Sequence, residues 1–91
     1  MIWEFDCSDT SKLLDGQYCK HWPKPMQRSA LRKMLMLEHM ETFSDVKQKC
    51  VPLQNRQYPT LALKIDEHYN LEFQPLGHDL ARHVKISRHT L

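Results

Sequence analysis

Apolar and polar residues alternate along residues 60–75, TLALKIDEHYNLEFQP. Leu61, Leu63 and Ile65 interleave with Thr60, Ala62 and Lys64, and Tyr69, Leu71 and Phe73 interleave with Asn70, Glu72 and Gln74. A period of two sends successive side chains to opposite faces of a sheet. The two runs, broken by Asp66-Glu67-His68, therefore predict a β-hairpin with one apolar face. The other face carries Ala62, Lys64, Asn70, Glu72 and Gln74 and is expected to meet solvent, as in an antiparallel sheet covered on one side.

Earlier in the chain the period changes. Residues 25 to 40 or 42 repeat apolar positions at three- and four-residue spacings: Met26, Ala30, Leu31, Met34, Leu35, Leu37 and Met40. Gln27, Arg28, Arg32, Lys33, Glu38 and Glu41 fill the other side, the pattern of an amphipathic helix laid on a core. His21-Trp22-Pro23-Lys24-Pro25 is a connector, because each proline disfavours helix in the residue before it, and Pro25 suits a first helical turn. A shorter helix is expected from about Ser11, capped by Ser8 or Asp9, with Leu13, Leu14, Tyr18 and Cys19 as a weak stripe interrupted by Gly16. Ile2 to Phe5 reads as a first strand, with Ile2 and Glu4 facing one way and Trp3 and Phe5 the other. Cys50 to Leu53 reads as an edge strand containing Pro52, and residues 54–59 as a polar loop with Arg56 and Tyr58. Leu76-Gly77-His78-Asp79 is a turn, and residues 81–89 a last strand. In it Val84 and Ile86 face the core, and His83, Lys85, Ser87 and His89 the other side.

Helices followed by a run of strands predict an α+β fold: two N-terminal helices packed on one face of a small, mainly antiparallel sheet. Lys64, Asn70, Glu72, His83, Lys85 and His89 would then share the open face. At 91 residues the chain makes one domain with a modest core. No apolar run has the length of a membrane span, and the N-terminus lacks the basic flank and apolar core of a signal peptide, so a cytoplasmic protein is expected. Cys7, Cys19 and Cys50 are odd in number and not closely paired, which speaks for reduced thiols rather than a disulfide framework or a zinc knuckle. Neither a metal nor a cofactor is expected. A net charge of +2 allows nucleic-acid binding without arguing for it.

Six histidines are the more distinctive feature. A histidine beside a lysine on an open face suits acid–base chemistry on a phosphodiester: imidazole moves the proton and a cation steadies the developing charge. An alternating His-x-Lys-x-Ser-x-His strand is also simply a solvated face.

Residues 51–75, VPLQNRQYPTLALKIDEHYNLEFQP, resemble the RelE/HigB-like toxins of bacterial toxin–antitoxin systems. Leu53, Leu61, Leu63, Tyr69, Leu71, Phe73 and Pro75 fall on that family's pattern without a gap, and the helix around Leu31-Arg32-Lys33-Met34-Leu35 and the segment Thr42-Phe43-Ser44-Asp45-Val46 look like what precedes it. The resemblance implies an mRNA interferase, often ribosome-associated, inhibited by a partner antitoxin. It implies His83 or His89 as acid or base with Lys85, and Arg56, Lys64 and the Asn70 position on RNA. Three departures stand out. Asn70 occupies the place of a family arginine, Asn55 and Pro59 stand where the basic turn has glycines, and only His89 approximates the terminal histidine. Read on an open face, Asn70 should accept an arginine without disturbing the core. A relative that kept the fold and a binding role but lost the chemistry is the alternative.

Overall fold

The computed structural model describes residues 1–88, so the position of His89 lies outside the described residues. It is an α+β structure with helices α1 (Ser8–Leu14) and α2 (Lys24–His39), short 3-10 turns at Phe43–Asp45 and Lys47–Lys49, and strands β1 (Cys50–Leu53), β2 (Thr60–Lys64), β3 (Tyr69–Leu76) and β4 (Leu80–Arg88). The strands form an antiparallel meander in the order β1-β2-β3-β4. The predicted hairpin has Leu61 opposite Phe73 and Leu63 opposite Leu71.

Helix α1 starts and stops differently from the expectation. Cys7 is its N-cap, without a side-chain cap bond, so Ser8 and Asp9 lie inside the first turn. The end is set by Gly16, whose φ of 88° is left-handed. There Gly16 N–H donates to Leu13 O and Gln17 N–H to Lys12 O, both at 3.0 Å, which is a Schellman closure. The glycine terminates the helix rather than interrupting it, and Tyr18 and Cys19 fall in the following loop. Helix α2 carries Pro25 in its first turn and buries Met26, Ala30, Met34 and Leu37. Leu35, expected on the apolar stripe, is exposed, and Gln27, expected on the polar side, is fully buried.

The core joins Leu13 of α1 and the buried face of α2 to Leu63, Leu71, Phe73, Val84 and Ile86 of the sheet. Phe43 stacks on Phe73 with ring centroids 5.9 Å apart. The N-terminal segment runs beside β4 in parallel, bridging Ile2 to Ala81 and Phe5 to Val84. Trp3 N–H donates to Ala81 O at 2.8 Å and Asp6 N–H to Val84 O at 3.0 Å. Further along that edge the Thr10 hydroxyl accepts from Ile86 N–H at 3.2 Å. Ile2 and Phe5 both turn to the core, against strict alternation, and Trp3 is exposed. The partner strand explains this. β4 has a bulge in which Glu72 pairs with Lys85 and Gln74 with Arg82, so His83 and Val84 together oppose Phe73. The bulge puts Ala81 and Val84, three apart, in the core, and the N-terminal segment matches that spacing. No helix among the described residues is long and apolar enough to cross a membrane.

Candidate functional site

The bulge is also where the titratable groups collect. His83 has a φ of 54°, a left-handed conformation uncommon for a side-chain-bearing residue. Both Arg82 and His83 consequently project away from the core, toward the acidic residues of the N-terminal segment. His83 Nδ1 lies 2.8 Å from Asp6 Oδ1 and 3.7 Å from Glu4 Oε1. A carboxylate only accepts, so Nδ1 carries the proton in this bond and the neutral ring keeps its lone pair on Nε2. Arg82 Nε donates to Glu4 Oε1 at 2.6 Å, and its guanidinium lies 5.2 Å from the centroid of Trp3.

The loop between β1 and β2 folds over this face. Asn55 takes a left-handed φ of 61°, and the residues after it return to the sheet. Tyr58 stacks on His83 with centroids 4.3 Å apart and planes 16° from parallel. Its hydroxyl donates to Asp6 Oδ2 at 3.4 Å. Desolvation, then the charge and hydrogen bond of Asp6, raise the Tyr58 phenol above its ordinary value, so it remains a donor. Arg56 reaches Glu72 with a two-point fork, Nε to Oε1 and Nη2 to Oε2, both at 3.2 Å. Lys85 Nζ stands 3.8 Å from Glu72 Oε1.

Glu72 is the buried member, at 3% exposure. Burial alone pushes its carboxyl up. Hydrogen bonds from Arg56 and Ser87 and the charges of Arg56 and Lys85 outweigh that and hold it below the usual carboxylate range. Reciprocally, the hydrogen bond and charge of Glu72 keep the Arg56 guanidinium more firmly protonated. A carboxyl lowered in the folded state contributes stability above its unfolded value, and that contribution is lost as pH falls through the folded value. Arg56→Ala removes the largest lowering influence and leaves burial in place. We expect it to destabilise the domain by about 1–3 kcal/mol at neutral pH, the range for stranding a buried polar group. The penalty should shrink at acid pH, as pH falls through the lowered folded value and Glu72 becomes protonated in the parent as well. Urea titrations at neutral and acid pH check this, and an equal penalty at both would remove Glu72 from the explanation.

Of the residues singled out from sequence, Arg56 and Lys85 meet at Glu72, and His83 stands on the same face, stacked on Tyr58 of the loop that carries Arg56. Lys64 is exposed on the same face, opposite Asn70 in the register. Asn70 requires a correction. Alternation puts it on the correct face, but the face is not open there: Asn70 is 7% exposed, and Ala62 and Glu72 beside it are buried too. It is therefore not a surface position for RNA. Glu4, Asp6, Tyr58 and Arg82 complete the cluster and were not anticipated, since the parallel pairing of the N-terminal segment with β4 brings the first two in. Glu4, Asp6 and His83 present donor atoms within 4.8 Å of one another, a possible cation set. Each already engages a protein partner, Glu4 with Arg82 and Asp6 with His83 and Tyr58. No protein-family model and no curated protein matches the chain.

Proposed function

We propose that this protein is a RelE/HigB-like toxin: a cytoplasmic mRNA interferase, acting on ribosome-associated mRNA and inhibited by a cognate antitoxin, with two helices on one face of its sheet. The observation that carries the reading is the Asp6–His83 contact at 2.8 Å, with Arg56 and Lys85 on the same face. Asp6 orients the ring, and His83 Nε2 takes the proton from a ribose 2′-hydroxyl. The resulting alkoxide attacks the adjacent phosphorus to form a 2′,3′-cyclic phosphate, and the bond to the 5′-oxygen breaks as that oxygen takes a proton from a water molecule, to which His83 then returns the one it accepted. Lys85, Arg56 and Lys64 supply positive charge to the phosphate, which favours the transition state as negative charge spreads over its oxygens. Asn70 has no role in this scheme.

A second reading, a non-catalytic relative that binds an antitoxin or another protein segment, is favoured by Glu72. Both Arg56 and Lys85 already face that carboxylate, so a phosphate must compete for them. The test is expression of the protein and of the folded His83→Ala/Lys85→Ala variant, with growth and primer extension on ribosome-bound mRNA as readouts. The parent should arrest growth and cut. The variant should cut about a hundredfold less or worse, the low end of what a positioned acid–base group supplies. Undiminished arrest by the variant would take both residues out of the mechanism, and a parent that neither arrests nor cuts would leave the binding module.

A further inference from the structure

A second group of reactive side chains lies away from the sheet face, where the chain turns from α1 to α2. Asp9 stands in the first turn of α1. After the Gly16 closure the chain doubles back, and Cys19 and His21 come alongside Asp9. The carboxylate, thiol and imidazole offer one donor atom each, all within 4.8 Å of one another. The loop is held in this shape by the buried amide of Gln27. Cys19 N–H donates to Gln27 Oε1 at 2.8 Å, and Gln27 Nε2 donates to Cys19 O at 2.7 Å and Trp22 O at 2.6 Å. A fully buried glutamine spent on both backbone groups of one cysteine fixes where that cysteine stands. His21 N–H also points at Cys19 Sγ, 3.4 Å away. The three donors border a cleft of about 310 Å³, lined also by Lys12, Tyr18 and Lys20.

We propose that Asp9, Cys19 and His21 bind a zinc ion. Sulfur, nitrogen and oxygen donors together suit zinc, whereas magnesium and calcium take oxygen ligands. Donors on one tetrahedral zinc stand about 3.5 Å apart, given bond lengths of about 2.0–2.3 Å. The closure needed is small, and His21 is exposed and can swing in. The thiol proton is released when the metal binds, because thiolate is the ligand. The fourth position faces the cleft, where Lys12 and Lys20 weaken the hold on a divalent cation but favour an anionic fourth ligand. Bound zinc ties the start of α1 to the loop that leads into α2.

The test uses the intact reduced protein, stripped of metal and titrated with cobalt(II) as the spectroscopic substitute for zinc. One equivalent should give the thiolate-to-cobalt charge-transfer band and the visible bands of a four-coordinate ion, and zinc should abolish both. The other three-donor group, Glu4–Asp6–His83, has no sulfur and cannot give the first band. Cys19→Ser should eliminate the charge-transfer band, while Cys7→Ser and Cys50→Ser retain it. His21→Ala and Asp9→Asn should weaken cobalt binding by more than the roughly 10–100-fold seen when a residue that only orients a ligand is removed. No thiolate band in the folded parent overturns the proposal, as does a band that survives Cys19→Ser. Should Cys19→Ser fail to fold by circular dichroism, His21→Ala decides, because its side chain is exposed: unchanged cobalt affinity there overturns the site.

Discussion

Asn70→Arg is expected to destabilise the domain by about 3–5 kcal/mol, the range for a buried charge without full compensation. Asn70 sits near the start of the inner strand β3, opposite Lys64 on β2 and Ser87 on β4. At 7% exposure it has little route to water. A guanidinium there meets the existing cations Lys64 and Lys85 on the same face, and the nearby acid, Glu72, already holds Arg56. The added volume forces neighbours aside as well, which by itself costs about 1–3 kcal/mol in a packed region. Small domains have about 5–15 kcal/mol in total, so the loss is a large share. Urea denaturation of the two proteins measures it. A variant with the parent's midpoint would show that the face opens at Asn70 after all, as the sequence pattern alone suggests. Cleavage activity is not expected to rise in the arginine variant.

The contrast between Asn70 and its neighbours shows what the pattern of residues could convey. Period-two alternation assigns each residue of β2 and β3 to a face, and Leu63, Leu71 and Phe73 are buried accordingly. What covers the other face is a separate matter, decided by a loop. Arg56 and Tyr58 return over the sheet and bury Glu72, and no local periodicity encodes that contact. The longer helix was legible because its apolar spacing runs through four turns. Gln27 is buried against the polarity of its side chain for a specific reason. An amide belongs on the polar side unless backbone groups elsewhere satisfy it, and its partners lie across the loop at Cys19 and Trp22. His83 and Lys85 were legible as candidates from strand alternation. The bulge that turns Arg82 and His83 out together, and the N-terminal segment that carries Glu4 and Asp6 to them, depend on pairing between residues almost the full chain apart. For the zinc proposal the obstacle was similar. Spacing rules look for paired cysteines, whereas here one cysteine is joined by a histidine two residues on and an aspartate from the preceding helix.

Asp6→Asn should lower the turnover of RNA cleavage by about 10²–10⁴-fold, the range of a positioned acid–base group, while leaving the Michaelis constant nearly unchanged. This expectation rests on the cleavage mechanism proposed above. Asp6 is a positioning residue: it does not touch the phosphate but contacts His83 Nδ1 at 2.8 Å. Its carboxylate fixes the tautomer that leaves Nε2 available as a base, and it stabilises the imidazolium formed once the proton is taken. The asparagine amide has nearly the same shape without the charge, and it can present an N–H to the ring, which favours the wrong tautomer. The fold should tolerate the change, because Asp6 is exposed and its backbone N–H keeps its bond to Val84 O. Glu4→Gln is the matched control. Glu4 is 3.7 Å from the same nitrogen and is taken up with Arg82 at 2.6 Å, so its loss should reduce turnover by about tenfold at most, the scale of about 1.4 kcal/mol. Tyr58→Phe keeps the ring that stacks on His83 and removes only the 3.4 Å contact to Asp6, so it should fall near the control. The measurement is the cleavage rate on ribosome-bound mRNA at saturating and limiting substrate for each folded variant. Equal rates for Asp6→Asn and the parent would mean that the aspartate serves the fold alone. Equal losses in Asp6→Asn and Glu4→Gln would mean that the field of the acidic segment, rather than one oriented hydrogen bond, is what acts on His83.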